Sequence, residues 1–263
     1  MTVAMARRVV VGDIHGHYQG LMDLMALLNL QPADQIYFLG DLIDRGPDSA
    51  KVVEFVKTNH YPALMGNHEE MMVSALMDNQ PALLQMWLQA GGRETLTSYS
   101  SNQLLWDHAD WFKTLPTHLD LGNYWLVHAG VHPELPLETQ TSQEFCWIRQ
   151  EFHQMATPYF GSKVIIVGHT MTFTFPGVNP GQIVQGAGWL GIDTGAYHHQ
   201  SGWLTALDIV AQQVYQVNIH SHHSRICPLA DLLVCLNPQT KQNLKGVSTK
   251  DILPKRLFNV VYE

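Results

Sequence analysis

Asp13 and His15 close the stretch VVVGDIHGH (residues 9–17), in which three β-branched residues run into a glycine and then deliver a carboxylate and an imidazole two residues apart. A buried strand end is a costly place for two polar side chains unless they bind something. The arrangement recurs along the chain. IYFLGD ends on Asp41, ALMGNH on Asn67 and His68, YWLVHAG carries His128, and VIIVGH ends on His169. Asp13, His15, Asp41, Asn67, His128 and His169 form a set of oxygen and nitrogen donors without a thiolate, which suits manganese foremost, with iron or zinc also fitting. Six donors are too many for one catalytic ion that keeps an open position. They suit two divalent ions sharing a carboxylate, which together activate a water and clamp a tetrahedral phosphoryl group. GDLIDRGPDS sets Asp44 and Arg45 just beyond Asp41, and a guanidinium grips phosphate oxygens through parallel donors. His68, next to Asn67 but outside the donor set, is placed to protonate a leaving group. Asp44 is the carboxylate that would orient it and raise its pKa.

These residues need a common edge. Short apolar runs bounded by glycine read as buried strands, and ALMGNH is expected to be one of them. Between the early strands lie helical patterns. YQGLMDLMALLNL places Leu21, Leu24, Met25 and Leu28 on one stripe, and DSAKVVEFVKT begins with Asp48 as an expected N-cap. Alternating strands and helices imply parallel strands joined by crossover helices. Parallel strands end together, and ligand sites of open α/β sheets lie at that end. A packing explanation of the six polar strand ends fails because five separate tips share the pattern.

GDIHG, GDLIDRG, GNHE, HAG and GHT, in this order and spacing, resemble the phosphoprotein phosphatase (PPP) family of calcineurin-like metallophosphoesterases, with the closest likeness to its bacterial and phage serine/threonine protein phosphatases. The resemblance runs from about Val9 to about Val217 and takes in WLQAGGRETLTSY, FCWIRQEF and GIDTGAYHHQSGWLTALDI. It implies an α/β fold with a central β-sandwich flanked by helices (αββα) and the site at the strand edge. It also implies residue roles. Asp13, His15 and Asp41 would hold one metal ion, with Asp41 bridging; Asn67, His128 and His169 would hold the second. Arg45 and Arg149 would bind the substrate phosphate, and His68 would be the general acid with Asp44 behind it. The activity implied is hydrolysis of phosphoserine or phosphothreonine in proteins by direct attack of a metal-bridging hydroxide. Symmetrical bis(5'-nucleosyl)-tetraphosphate hydrolases carry similar motifs but typically lack the aspartate of DRG and have GNHD, so Asp44 and Glu69 favour the phosphatase. A non-catalytic phosphoprotein-binding module is the third reading, and the intact donor set and His68 argue against it.

Composition narrows the partners. The formal net charge is −8, the reverse of the basic balance of nucleic-acid binders, so an anionic substrate must be attracted by local groups. Cys146, Cys227 and Cys235 are scattered and odd in number, which reads as reduced thiols. No long apolar core precedes a cleavage site, and no run approaches ~20 apolar residues, so a cytoplasmic protein without a membrane partner is expected. The 263 residues fit a catalytic domain over 1–218. Residues 219–263 read as a C-terminal extension, packed on the core or serving as an interaction segment. HSHHS (220–224) reads as an exposed polar turn, and Arg93 in GGRET as a surface residue.

Overall fold

The computed structural model describes residues 6–78 and 80–236. In chain order the elements are β1 (Arg8–Val11), α1 (Tyr18–Leu28), β2 (Gln35–Phe38), α2 (Ser49–Thr58), α3 (Asn67–Met77), α4 (Pro81–Trp87), α5 (Arg93–Ser98), α6 (Asn102–Phe112), β3 (His118–Asp120), β4 (Tyr124–Val127), α7 (Ser142–Trp147), α8 (Gln150–His153), β5 (Val164–Val167), β6 (Ile183–Gly186), β7 (Trp189–Gly191), β8 (Trp203–Asp208), β9 (Gln213–Asn218), β10 (Ser224–Pro228), α9 (Leu229–Leu232) and β11 (Leu233–Cys235). One sheet has the order β10-β9-β8-β1-β2 and the other β11-β6-β7-β5-β4-β3. Both are mixed: β1 and β2 run parallel, as do β4, β5 and β7, while β8 and β3 pair antiparallel to their neighbours.

The central strands β4 and β5 and all of β1 beyond Arg8 are apolar because both faces are covered, and the period of two decides which face each side chain serves. Val10, Leu126 and Ile166 point into a layer shared by the two sheets, with Leu190, Leu207 and Val214. Val9 and Val11 point the other way, onto Leu21, Leu24 and Leu28 of α1 and Val52, Val53 and Val56 of α2. On the outer face of the second sheet, Trp125, Val127, Ile165 and Val167 pack with Phe145 and Phe152 of α7 and α8. This is a helix–sheet–sheet–helix sandwich, the calcineurin-like metallophosphoesterase fold expected from the motifs. Each buried Val, Leu or Ile in these layers contributes on the order of 1.5–3 kcal/mol relative to an exposed one.

Two local expectations are corrected. ALMGNH is not a full strand: Ala63 makes an isolated bridge to Phe38. Pro62 accepts from Phe38 N–H but has no N–H of its own to extend the ladder, and the chain enters α3 right after Gly66. Asp48 occupies the N-cap position of α2 without a capping hydrogen bond, its carboxylate instead pairing with Lys51 at 2.6 Å. Arg149 sits at the break between α7 and α8, with φ −133° and ψ −84°.

Residues 220–223 form an exposed turn leading to β10, which pairs with β9, and β11 pairs with β6. The remainder of the expected extension, 237–263, lies outside the described residues. Among the described residues no helix is long and apolar enough to cross a membrane.

Candidate active site

Asp41 is the centre of the site. It follows β2 with φ 50°, in the left-handed region. His15, Asp44, Arg45 and His169 share that region, with φ between 50° and 72°. A non-glycine residue there costs on the order of 1–3 kcal/mol, and such strain collects where geometry serves a function. All five residues belong to the motif tips, so the loops are bent to bring side chains inward. Two glycines make room for the approach. A Cβ on Gly66 would stand 2.3 Å from Asp41 Oδ1, and one on Gly168 would stand 2.1 Å from Asp13 Oδ1.

The imidazoles are aimed by backbone carbonyls. His15 Nδ1 lies 2.9 Å from Ile43 O and His128 Nδ1 lies 2.8 Å from Leu39 O. A carbonyl only accepts, so Nδ1 carries a proton and each ring turns its Nε2 inward. Those nitrogens meet oxygens: His15 Nε2 is 3.6 Å from Asp41 Oδ2, and His128 Nε2 is 3.3 Å from Asp41 Oδ1 and 3.0 Å from Asn67 Oδ1. His169 Nδ1 lies 2.9 Å from the same Asn67 oxygen, and its Nε2 is buried without a partner among the described residues. Ring nitrogens gathered with carboxylate and amide oxygens in this way are the donor set a cation takes. Two groups of donor atoms lie within 4.8 Å of one another, His15 with Asp41 and His68, and Asp41 with His128 and His169. Asp41 belongs to both, as a bridging carboxylate requires. The residues therefore fit two divalent ions. Asp13 stands differently: its carboxylate accepts the His169 N–H at 3.0 and 3.2 Å, and His68 rather than Asp13 completes the first group.

Charge within the site is strongly perturbed. Burial would raise Asp41, but His128, His68 and His15 outweigh it and hold Asp41 well below the usual carboxylate range. Burial would lower His128, but Asp41 pushes it up to about 10. Burial first, then neighbouring positive groups, push His15 and His169 well down. Asp13 is driven well up by burial and by Asp193. Glu69 is pushed up to about 7 by burial and by Asp41, even though it accepts N–H groups of Asp41 at 2.9 Å, Leu42 at 2.8 Å and Gly66 at 3.0 Å.

His68 is 3 % exposed and its Nδ1 lies 2.6 Å from Asp44 Oδ2. Asp44 is fully buried. Trp87 Nε1 donates to both its oxygens at 3.0 Å, and Thr95 Oγ1 donates to Oδ1 at 2.7 Å. The Asp44 N–H in turn donates to Thr95 and Ser49 hydroxyls. His68 Nε2 faces Asp41 Oδ2 at 3.8 Å and Arg45 Nη2 at 3.3 Å. Arg45 and Arg149 are both accessible, and among the described residues neither pairs with a carboxylate. Arg149 donates to Thr170 Oγ1 at 2.8 Å and His169 O at 3.3 Å. Surrounding protein crowds its guanidinium and pushes its pKa down, against Asp193 and Asp41.

The ten residues singled out from the sequence thus converge. Sequence reasoning missed Trp87, Thr95, Ser49 and Tyr197. The first three reach Asp44 from positions 5 to 51 residues away, and no local pattern announces such a contact. Arg93 is exposed and outside the cluster. Asp193 accepts the Gly195 N–H at 2.9 Å.

Comparison with known proteins agrees with this geometry. A family model for calcineurin-like phosphoesterases matches residues 6–190. A symmetrical bis(5'-nucleosyl)-tetraphosphatase of Nitrosospira multiformis is 30% identical over 164 residues, 58% of this chain and 55% of that protein. Serine/threonine-protein phosphatase 1 of Salmonella typhimurium is 29% identical over 170 residues, 61% of this chain and 77% of that protein. The chain thus spans about half the length of the first relative and about three quarters of the second. Among solved structures, a cold-active protein-tyrosine phosphatase of a psychrophilic Shewanella species superposes with a TM-score of 0.55 at 16% identity, over 85% of this chain and 80% of that one, a likeness of fold.

Proposed function

The chain belongs to the calcineurin-like phosphoesterase family, and from that premise we propose that it is a metal-dependent phosphomonoesterase that hydrolyses phosphoserine and phosphothreonine in proteins. The observation that carries the choice is the buried Asp44–His68 pair, 2.6 Å between Oδ2 and Nδ1. A serine alkoxide is a very poor leaving group and needs a proton as the P–O bond breaks. A nucleoside diphosphate leaving an anhydride is already a weak base and needs little help. A device that holds an imidazole for proton donation therefore has a use in a phosphomonoester hydrolase that it lacks in a tetraphosphatase.

Two divalent ions, held by Asp13, His15, Asp41, Asn67, His128 and His169, supply when bound an activated water and neutralisation of phosphoryl charge. Manganese is the first choice for these oxygen and nitrogen donors. Arg45 and Arg149, accessible cations without a carboxylate partner, grip the phosphoryl oxygens, whose charge spreads in the transition state. His68 Nε2 lies beside Arg45 Nη2, so a phosphoryl group gripped by Arg45 has its leaving oxygen next to His68. Asp44 holds the Nδ1 proton and fixes the ring. Glu69 ties the Asp41 loop to the start of α3, holding the bridging carboxylate beside His68.

A substrate panel with added Mn²⁺ tests the proposal. A phosphoserine peptide is expected to be cleaved with a higher kcat/KM than diadenosine tetraphosphate. A dominant preference for the dinucleotide would overturn the assignment in favour of tetraphosphate hydrolysis.

A further inference from the structure

Arg45 is held on three sides, and two of the residues that hold it have no part in the chemistry described so far. Its backbone is left-handed, φ 69°, an unfavourable setting for a long side chain. Its main-chain N–H donates to Gly91 O at 3.2 Å. Gly91 lies in the connection between α4 and α5, and its φ of 119° kinks the chain there. A Cβ on Gly91 would stand 2.7 Å from both Arg45 Cγ and Arg45 N, so the missing side chain is the space in which the Arg45 stem lies. At the far end of the side chain the Tyr197 ring centroid is 4.1 Å from Arg45 Cζ, within cation–π range. That ring also packs edge-to-face on His15, with centroids 4.7 Å apart. The third contact is the approach of Arg45 Nη2 to His68 Nε2 at 3.3 Å.

We propose that Gly91 and Tyr197 are positioning residues that clamp Arg45 in its phosphate-gripping pose: Gly91 gives the stem its channel, and the Tyr197 ring fixes the guanidinium relative to His15 and the donor set. The proposal rests on the reading of Arg45 as a phosphate ligand. An unclamped arginine at an accessible position samples many rotamers and loses that freedom when it binds; a clamped one has lost it beforehand. The clamp leaves the reacting bonds untouched, so its loss acts mainly on phosphate affinity and KM, with a smaller effect on kcat.

The test measures inorganic phosphate affinity as a competitive inhibition constant, together with KM and kcat on a phosphoserine peptide, in Mn²⁺. The variants are Arg45→Ala, Tyr197→Leu, Tyr197→Phe, Gly91→Ala and the double variant Arg45→Ala/Tyr197→Leu. Tyr197→Leu is expected to weaken phosphate and raise KM about 3- to 30-fold, the worth of a cation–π contact. Tyr197→Phe, which keeps the ring, restores most of that loss, and Gly91→Ala weakens phosphate in the same direction. In the Arg45→Ala background Tyr197→Leu adds nothing, because there is no guanidinium left to position. The clamp is overturned if Tyr197→Leu costs as much with Arg45 absent as with it present, or if it has no effect while Arg45→Ala does. Thermal melts identify a Gly91→Ala chain that fails to fold, and the Tyr197 cycle decides the matter without it. An Arg45→Ala enzyme with unchanged phosphate affinity would instead remove Arg45 itself from substrate binding, and the clamp with it.

Discussion

His68 and Arg149 stand at the same cluster and are held in opposite ways. His68 is buried, and behind it Asp44, Trp87, Thr95 and Ser49 form a hydrogen-bonded chain drawn from four segments. Arg149 is accessible at a helix break and is steadied by two contacts, both to the segment that carries His169. The difference follows from the tasks proposed for them. A proton donor must present one tautomer in one direction, and a dry, fully satisfied network enforces that. A cation that grips phosphate needs no tautomer and must stay open to the substrate. Rigidity is therefore concentrated where protonation state matters.

The largest effect should come from breaking what the two sides share. Asp41→Asn removes the one carboxylate common to both donor groups. It should lose more activity than the ~10²–10³-fold that a single preorganised electrostatic group supplies, and metal analysis of the purified variant should show ions missing from both positions. Full activity of a chelated, metal-free preparation would contradict the assignment of the whole cluster.

Arg149→Ala comes next. Losing charge-assisted hydrogen bonds worth about 1.5–3 kcal/mol should raise KM about 10- to 100-fold. Because nothing rigid depends on Arg149, the melting temperature should hold. Wild-type KM in this variant would place Arg149 outside the substrate site and end the contrast.

Trp87→Phe attacks the buried side. It removes the donor to both Asp44 oxygens while keeping most of the ring volume. A stability loss of about 1–3 kcal/mol is expected from the under-satisfied buried carboxylate, read by urea denaturation, along with a fall in kcat on phosphoserine peptide. Arg149→Ala should thus raise KM and lower kcat without destabilisation, whereas Trp87→Phe should lower kcat together with stability.

The smallest effect lies away from the site. Arg7 donates from its backbone N–H, Nε and Nη2 to Asp34, and these bonds lower the Asp34 pKa to about 2, against burial. The folded value lies below the ordinary one, so the pair's stabilisation is present above about pH 4 and is lost as pH falls toward 2. Arg7→Leu should lower stability by about 1 kcal/mol at pH 7 and narrow its gap to wild type near pH 2, without altering KM or kcat. A change in turnover would show that hydrogen-bonded charge networks in this fold are not as local as the His68–Arg149 contrast implies.

The sequence made the six donor residues legible because each stands at the end of an apolar run, where burial and polarity conflict. Asp44, Arg45 and His68 were legible as neighbours of those donors. Arg149 was legible only through family resemblance, since nothing in FCWIRQEF announces the break between α7 and α8 at which it sits. Trp87 and Thr95 were legible only as letters of WLQAGGRETLTSY, with no role attached: an indole and a hydroxyl on two separate short helices serve Asp44 only once the kink at Gly91 brings those helices against the Asp41–Arg45 loop. The outline of the sandwich followed from alternating runs of strand and helix. The edge positions of β10 and β11 did not, because strand pairing among residues far apart in sequence depends on the finished packing.

The central claim is that His68, fixed by Asp44, donates the proton to a poor leaving group. The most direct measurement is kcat for a series of aryl and alkyl phosphate monoesters of rising leaving-group pKa, in wild type and in His68→Asn, with metal content assayed in both. Wild type should depend weakly on leaving-group pKa. His68→Asn should keep its metals, match wild type closely on p-nitrophenyl phosphate, and fall behind progressively toward a phosphoserine peptide, where the loss should reach the ~10²–10⁴-fold of general acid catalysis. Parallel dependences in the two proteins, with metals retained, would contradict the claim and leave the Asp44–His68 pair without a role in proton transfer.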